Sequence, residues 1–275
     1  MAARTRVDLI FHDTHYPNHH EPSIEAVCAI AEAVRPTRIV CLGDGLDCGV
    51  FSSHPRGGLE DVASSYLADE VAPFNRLLDR LCRGGRVPLV YVAGNHEHRV
   101  ERLLVKTAGP AAADLSALAS PERLIRFRVG ADGKPRGERK GMVWVPYPPQ
   151  GDVTSHFALA PNLIGIHGWS HAARAAQVHL DRARNVSVVF GHTHRAESAT
   201  GRIPLTGETL VAWSAGCLCL YEPVWRVGSA PSTWTRGISL VYHGRHNPRN
   251  WTQYAVPIQD RGVAVLPDGR EIRAA

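Results

Sequence analysis

The sequence predicts an α/β chain built around a parallel sheet. Three short apolar, β-rich runs carry that expectation: Val7–His12, Arg38–Leu42 and Val87–Val92. Helix-like stretches separate them, at spacings that suit βαβ crossovers joining parallel neighbours with right-handed connections. A hydrophobic content of 44% over 275 residues suffices for one large α/β domain or two small ones.

Each element then has its own local reason. Val7–His12 leads into Asp13-Thr14-His15-Tyr16-Pro17, where an acid and an imidazole two apart on an extended segment would point to one side. Ser23 stands where it would cap a helix over Ile24–Val34, which stops at Arg35-Pro36. Arg38–Leu42 ends in Gly43-Asp44-Gly45-Leu46-Asp47, whose glycines let the backbone turn sharply and bring the Asp44 carboxylate close to a neighbour. Ala63–Leu81 repeats apolar residues at helical spacing (Leu67, Val71, Phe74, Leu78, Leu81), and Gly84-Gly85 stops it.

Val87–Val92 runs into Gly94-Asn95-His96-Glu97, followed by a helix over Glu97–Lys106. Asn95 and His96 thus sit at the carboxyl end of a strand, where open α/β sheets place ligands. An amide oxygen beside an imidazole can hold a metal and leave a proton donor next to it. Beyond Lys106 the pattern loosens. Gly130–Gly141 is polar, basic and glycine-rich, a pattern of solvated loops that also suits a substrate-contacting arm.

Met142–Pro146 and Asn162–Ile166 read as strands, the second ending in His167-Gly168. A helix over Ala172–Ala183 precedes the strand Val186–Phe190, which ends in Gly191-His192-Thr193-His194 with two histidines at alternate positions. Leu210–Ser214, Gly237–Tyr242 and Thr252–Ile258 are further strands, and Val263–Ile272 is a hairpin turning at Pro267-Asp268-Gly269. No internal repeat or linker divides the chain.

Composition excludes some classes. No run of about eighteen apolar residues is present, so no membrane span is expected. Met1–Arg6 leave no room for a secretory signal. Six cysteines without CxxC spacing point to reduced thiols and a cytoplasmic protein rather than a disulfide frame or zinc knuckle. A net charge of +5 and a pI near 9.0 suit an anionic substrate but fall short of a nucleic-acid signature.

Five strand ends present oxygen or imidazole donors: Asp13 with His15, Asp44 with Asp47, Asn95 with His96, His167, and His192 with His194. Mixed carboxylate, amide and imidazole donors suit Mn²⁺, Fe²⁺ or Zn²⁺ better than Ca²⁺ or Mg²⁺.

In the order DxH, GDxxD, GNHE, HG, GHTH, these motifs resemble the calcineurin-like metallophosphoesterase superfamily across Val7–Ser214. The resemblance implies an α/β fold of four layers, an αββα sandwich of two mixed sheets flanked by helices. It also implies a single domain over residues 1–275, with a catalytic core at about 5–216 and a strand-rich tail at about 217–275. By the same resemblance Asp13, His15 and His194 bind one divalent transition metal, Asn95, His167 and His192 bind a second, and Asp44 bridges them. Mn²⁺ is the first expectation, with Fe²⁺, Zn²⁺ or Ni²⁺ as the others. His96 is then the proton donor and Asp47 its orienting partner, in a phosphoesterase that attacks with a metal-bridging hydroxide.

Cys48 and Ala93 stand where phosphoprotein phosphatases carry phosphate-gripping arginines, which argues against protein dephosphorylation. The tyrosine of purple acid phosphatases is missing near Asp47. Arg99 and Arg195 follow the GNHE and GHTH turns and could contact phosphate or make structural ion pairs. His12, His19, His20, His98 and His171 crowd the motifs without an assigned role.

Gly191-His192-Thr193-His194-Arg195 with the later Ser214-Ala215-Gly216-Cys217-Leu218-Cys219 looks like the small metallophosphoesterases encoded by bacteriophages, implying a host-cytoplasm location. The expected substrate is a phosphodiester or phosphomonoester of a nucleotide or nucleic acid. The alternatives are a DNA nuclease of the repair-exonuclease type and a non-catalytic metal-binding scaffold. Trp225, Trp234 and Trp251 among the tail's arginines could stack single-stranded nucleic acid or pack a sheet.

Overall fold

The structure, a computed structural model, describes residues 5–52, 65–148, 155–223 and 232–274. β1 (Val7–Phe11), β2 (Arg38–Cys41), β3 (Leu89–Val92) and β4 (Val143–Val145) pair in parallel in that order. Side chains of a strand alternate between faces. Leu9, Phe11, Ile39, Cys41, Leu89 and Tyr91 pack in a core with residues of α1 (Glu21–Val34) and α2 (Ala72–Leu81). Ile10, Val40, Leu42, Val90 and Val92 belong to a second core. Burial on both faces is why these runs are continuously apolar.

The second core is the seam with another sheet. β5 (Phe157–Ala160), β6 (Leu163–Ile166), β7 (Ser187–Phe190), β8 (Ala196–Arg202) and β9 (Thr209–Ala215) form it in the order β5-β6-β7-β9-β8. Leu159, Leu163, Val189 and Trp213 fill the seam from this side. Ile164, Ile166, Val188 and Phe190 share a third core with α6 (Ala175–Ala183). Each large aliphatic side chain buried this way contributes about 1.5–3 kcal/mol. The layers run helix, sheet, sheet, helix, and both sheets are mixed because β1 and β10 (Gly237–His243), β10 and β11 (Trp251–Pro257), β5 and β6, and β8 and β9 pair antiparallel.

β10 (Gly237–His243) lies beside β1, with Val7 opposite Tyr242, and β11 (Trp251–Pro257) lies outside β10. The C-terminal strands therefore complete the first sheet. β12 (Val263–Val265) and β13 (Glu271–Arg273) are the terminal hairpin. No helix of the described residues is long and apolar enough to cross a membrane.

Several boundaries differ from expectation, each for a local reason. α1 starts at Glu21, with His20 rather than Ser23 as N-cap, because Pro22 occupies the first turn that proline's fixed φ favours. Ser23 is buried, its Oγ 2.8 Å from His20 Nδ1. Of the helix expected over Ala63–Leu81, residues 63 and 64 lie outside the described segments, and Tyr66–Val71 is a wider π turn before α2. Pro73 has no N–H to offer the Asp69 carbonyl, so a regular α turn cannot form there. α6 begins at Ala175, three residues later than Ala172.

β8 (Ala196–Arg202) is a polar edge strand with no apolar run to announce it, and β5, an apolar run of only four residues, lies outside the expected strands. The Gly130–Gly141 stretch is mostly exposed, with one exception. Arg139 is buried and donates to Asn75 Oδ1 and O, each at 2.8 Å, and to Asp79 Oδ1 at 2.9 Å. α3 (Glu97–Ala108) continues past Lys106, and α4 (Ala112–Ala119) and α5 (Pro121–Arg126) fill the segment that carried no readable pattern.

Candidate metal centre

The ligand-type residues lie in the turns that follow β1, β2, β3, β6 and β7, all at carboxyl ends. For five of them the backbone is not extended. Asp13 (φ 53°), His15 (49°), Asp44 (50°), His192 (72°) and His194 (58°) are all left-handed. An extended segment therefore does not explain why Asp13 and His15, or His192 and His194, share a side. Left-handed backbone costs an L-residue about 1–2 kcal/mol. Hydrogen bonds from Asp13 N–H to the Gly43 carbonyl and from His15 N–H to the Asp44 carbonyl, both 3.0 Å, hold the first turn against the second. Such strain concentrates where geometry matters to function.

Three interlocking donor groups result: Asp13, His15 and His194; His15, Asp44 and His96; and Asp44, His167 and His192. Within each, the donor atoms lie within 4.8 Å of one another. His15 Nε2 is 3.1 Å from His194 Nε2, and those nitrogens are 3.9 and 3.5 Å from Asp13 Oδ1. Asn95 Oδ1 is 2.9 Å from His167 Nε2, which is 3.3 Å from Asp44 Oδ2. Gly94 makes this approach possible: a Cβ there would come within 2.1 Å of Asp44 Oδ1.

These residues fit divalent transition metals. Asp13 Oδ1 is buried without a hydrogen-bond partner, although buried polar oxygens are ordinarily paired. Its other oxygen is saturated by His12 Nδ1 at 2.8 Å and His192 N–H at 2.7 Å. His167 Nδ1–H donates to the Leu42 carbonyl at 2.7 Å, which leaves Nε2 to face Asn95 and Asp44. That fixed tautomer is how ligating histidines are oriented.

Charge keeps the two carboxylates and His192 in ligating form, whereas His167 holds a proton that a metal would have to displace. Burial pushes the Asp13 carboxyl up, but His194 and His12 outweigh it and hold it well below the usual range. Asp44 is likewise driven down, as His167 and His96 overcome its burial. Burial lowers His167 while Asp44 raises it, and Asp44 wins, at about 9. Burial and the neighbouring His167 push His192 down to about 3, so its lone pair is available.

Asp47 lies between two histidines. Its Oδ1 is 3.3 Å from His15 Nδ1 and 3.1 Å from His96 Nδ1, and its carbonyl is 2.8 Å from His96 Nδ1. Arg99 donates to that same carbonyl and to His96 Nε2, both at 2.9 Å. Arg195 is engaged elsewhere, donating to the Ala172 carbonyl at 2.7 Å with Glu197 at 3.4 Å.

Glu97, His12 and the Cys217–Cys219 pair are further residues at the site. Glu97 accepts from the backbone N–H of Asp44 (3.0 Å), Leu46 (3.1 Å) and Gly94 (2.8 Å) and from Tyr91 O–H (2.8 Å). Only its place in the GNHE motif hints at this. Tyr147 beside His167 and Trp234 beside His194 flank the group, with ring centroids 6.3 and 4.1 Å away. Trp251 packs on Trp213, while Trp225 lies outside the described residues.

Buried Asp and His donors in this motif order, on two mixed sheets between helices, decide the likeness. The chain resembles the calcineurin-like metallophosphoesterases. No protein-family model matches it. It is 25% identical over 248 residues to the Gene 54 protein of Mycobacterium phage L5, covering 86% of this chain and 89% of that protein. A metallophosphoesterase from Sphaerobacter thermophilus superposes with a TM-score of 0.43 at 15% identity, covering 92% of this chain and 89% of its own. Vacuolar Protein Sorting 29 from Cryptosporidium parvum gives 0.44 at 12%, with 98% and 95% covered. Scores at this level describe a shared outline only.

Proposed function

We propose that this protein is a metal-dependent phosphoesterase that hydrolyses a phosphodiester or phosphomonoester of a nucleotide or nucleic acid. The observation that carries the reading is the position of Asp44: its Oδ2 is 3.3 Å from His167 Nε2 and 3.8 Å from His15 Nε2, one carboxylate between two donor sets. In this reading Asp13, His15 and His194 hold one ion, Asn95, His167 and His192 hold the other, and Asp44 serves both. Mn²⁺ is the first candidate, ahead of Fe²⁺, Zn²⁺ or Ni²⁺. Such a pair supplies an activated water and a clamp for phosphoryl oxygens.

The chain's own residues do the rest. Asp47 orients His96 through Nδ1, so that Nε2 is the nitrogen turned toward the donor groups, 3.8 Å from Asp44 Oδ2. Arg99 occupies Nε2 in the structure. A substrate phosphate that draws the guanidinium into a paired contact would release Nε2 to take up a proton from solvent and pass it to the departing oxygen. Arg195, held by Glu197 and a carbonyl, has the weaker case for binding phosphate. The chain is read as one catalytic domain because β10 and β11 complete the sheet that carries Asp13 and Asp44. The phage relative supports action in a host cytoplasm.

The test is hydrolysis by metal-reconstituted protein of bis-p-nitrophenyl phosphate, p-nitrophenyl phosphate, cyclic nucleotides, and single- and double-stranded DNA. Metal-dependent turnover of at least one, lost in Asp44→Asn, is expected. Protein with both ions bound that turns over none of them would sink the reading. Salt separates a nuclease from an enzyme of small esters, because polynucleotide binding weakens steeply with ionic strength.

A further inference from the structure

We propose that His194, Cys217 and Cys219 form a second kind of metal site, for a single thiophilic d¹⁰ cation such as Zn²⁺, Cd²⁺ or Cu⁺. It uses the ring nitrogen of His194 opposite to the one near Asp13 and His15.

The local backbone builds this site. After β9, Gly216 adopts φ 114°, and a Cβ there would come within 2.2 Å of the Thr235 carbonyl oxygen. Only glycine permits so close an approach. Cys217 Sγ then lies 3.3 Å from that oxygen. Leu218 N–H donates to the Asp13 carbonyl at 3.1 Å, fastening the strap to the loop that bears the first donor group. Cys219 Sγ is 3.7 Å from His194 Nδ1, and all three donors lie within 4.8 Å of one another. The thiols are fully buried and His194 is nearly so.

Bond lengths agree with occupancy. Tetrahedral Zn²⁺, with about 2.3 Å to sulfur and about 2.0–2.1 Å to nitrogen, sets those two ligands about 3.6 Å apart. Cys219 and His194 already stand at that separation. Two sulfurs and an imidazole favour a soft or borderline ion and disfavour Mn²⁺, which suits the mixed carboxylate, amide and imidazole groups instead.

Proton balance makes the two sites antagonists. Binding on the thiol side releases both thiol protons to water and needs the lone pair of Nδ1, so the ring proton moves to Nε2. Nε2 is the nitrogen that the Asp13 and His15 group requires free. A soft ion at the cysteines therefore opposes a hard ion beside Asp13, and no electron is exchanged.

The experiment titrates Cd²⁺ into reduced, metal-free protein and follows the ultraviolet thiolate-to-cadmium charge-transfer band. A band saturating at one equivalent is expected in the wild type and in Asp44→Asn, and none in the double variant C217S/C219S. Retention in Asp44→Asn separates this site from the phosphoesterase reading, whose failure would show in turnover alone. Cd²⁺ binding without a band, no binding at all, or a band that survives in C217S/C219S would overturn the proposal. Should the double variant not fold, zinc-edge X-ray absorption of one-zinc wild type decides: sulfur neighbours at about 2.3 Å support it, and nitrogen and oxygen alone refute it.

Discussion

His12 Nδ1 sits 2.8 Å from Asp13 Oδ2, and it divides the labour of the two carboxylate oxygens. With the His192 N–H at 2.7 Å on the same atom, Oδ2 is fully engaged and Oδ1 faces the donor group alone. Partners of this kind are worth about 10–100-fold in metal affinity. His12→Ala is expected to weaken the tighter metal by that factor, while His12→Asn, whose amide N–H can reach where Nδ1–H did, retains most of it. Calorimetric metal titration of the three proteins checks this. Equal losses in both variants would assign His12 to packing alone.

For His96 the prediction separates chemistry from binding. A positioned general acid contributes about 10²–10⁴-fold. His96→Ala is expected to lower kcat on a poor leaving group within that range, with both ions still present by elemental analysis. A substrate whose leaving group needs no proton should lose much less. Loss of the metals from the variant would instead make His96 a ligand.

Glu97 is a stability prediction. Its buried carboxylate accepts from three backbone N–H groups and the Tyr91 hydroxyl, tying the Asp44 turn to the Asn95 turn. Each buried donor left without an acceptor costs about 1–3 kcal/mol. Glu97→Ala should therefore lower stability by at least about 3 kcal/mol in urea unfolding, with metal affinity falling alongside. An unchanged midpoint would mean the two turns hold themselves.

Acid should act at the opposite end of β1. Burial raises the Asp8 carboxyl, but His243 at 2.7 Å and Arg38 outweigh it, leaving the group below its ordinary value of 3.8. A carboxyl lowered on folding stabilises fully above its unfolded value, and that stability is lost as pH falls through the folded one. Its share should thus persist down to about pH 4 and vanish below. Asp8→Asn should flatten the acid limb of stability against pH below that point. An identical acid limb in variant and wild type would remove Asp8 from the balance.

Local pattern was enough for the strands of the first sheet, because β1, β2 and β3 are buried on both faces and their composition says so residue by residue. It was enough, too, to set Asp13, Asp44, Asn95, His167 and His192 at strand ends, since an apolar run followed by glycine or a polar turn is a local event. β8 carries no such local pattern, because an edge strand with exposed alternate residues has no apolar signature. The burial of Arg139 has no local signature either: a basic residue in a glycine-rich loop reads as solvated until Asn75 and Asp79 arrive from α2 to bury it.

Tertiary structure alone decided how the strand ends face one another. The left-handed turns at Asp13, His15, Asp44, His192 and His194 are unfavourable for their own residues and persist through hydrogen bonds to loops far away in the chain. The meeting of His194 with Cys219, and of His12 and Asp13 with the His192 amide, arises the same way. Local sequence sets what each segment prefers. Only the closed fold can repay a turn that its own residues disfavour.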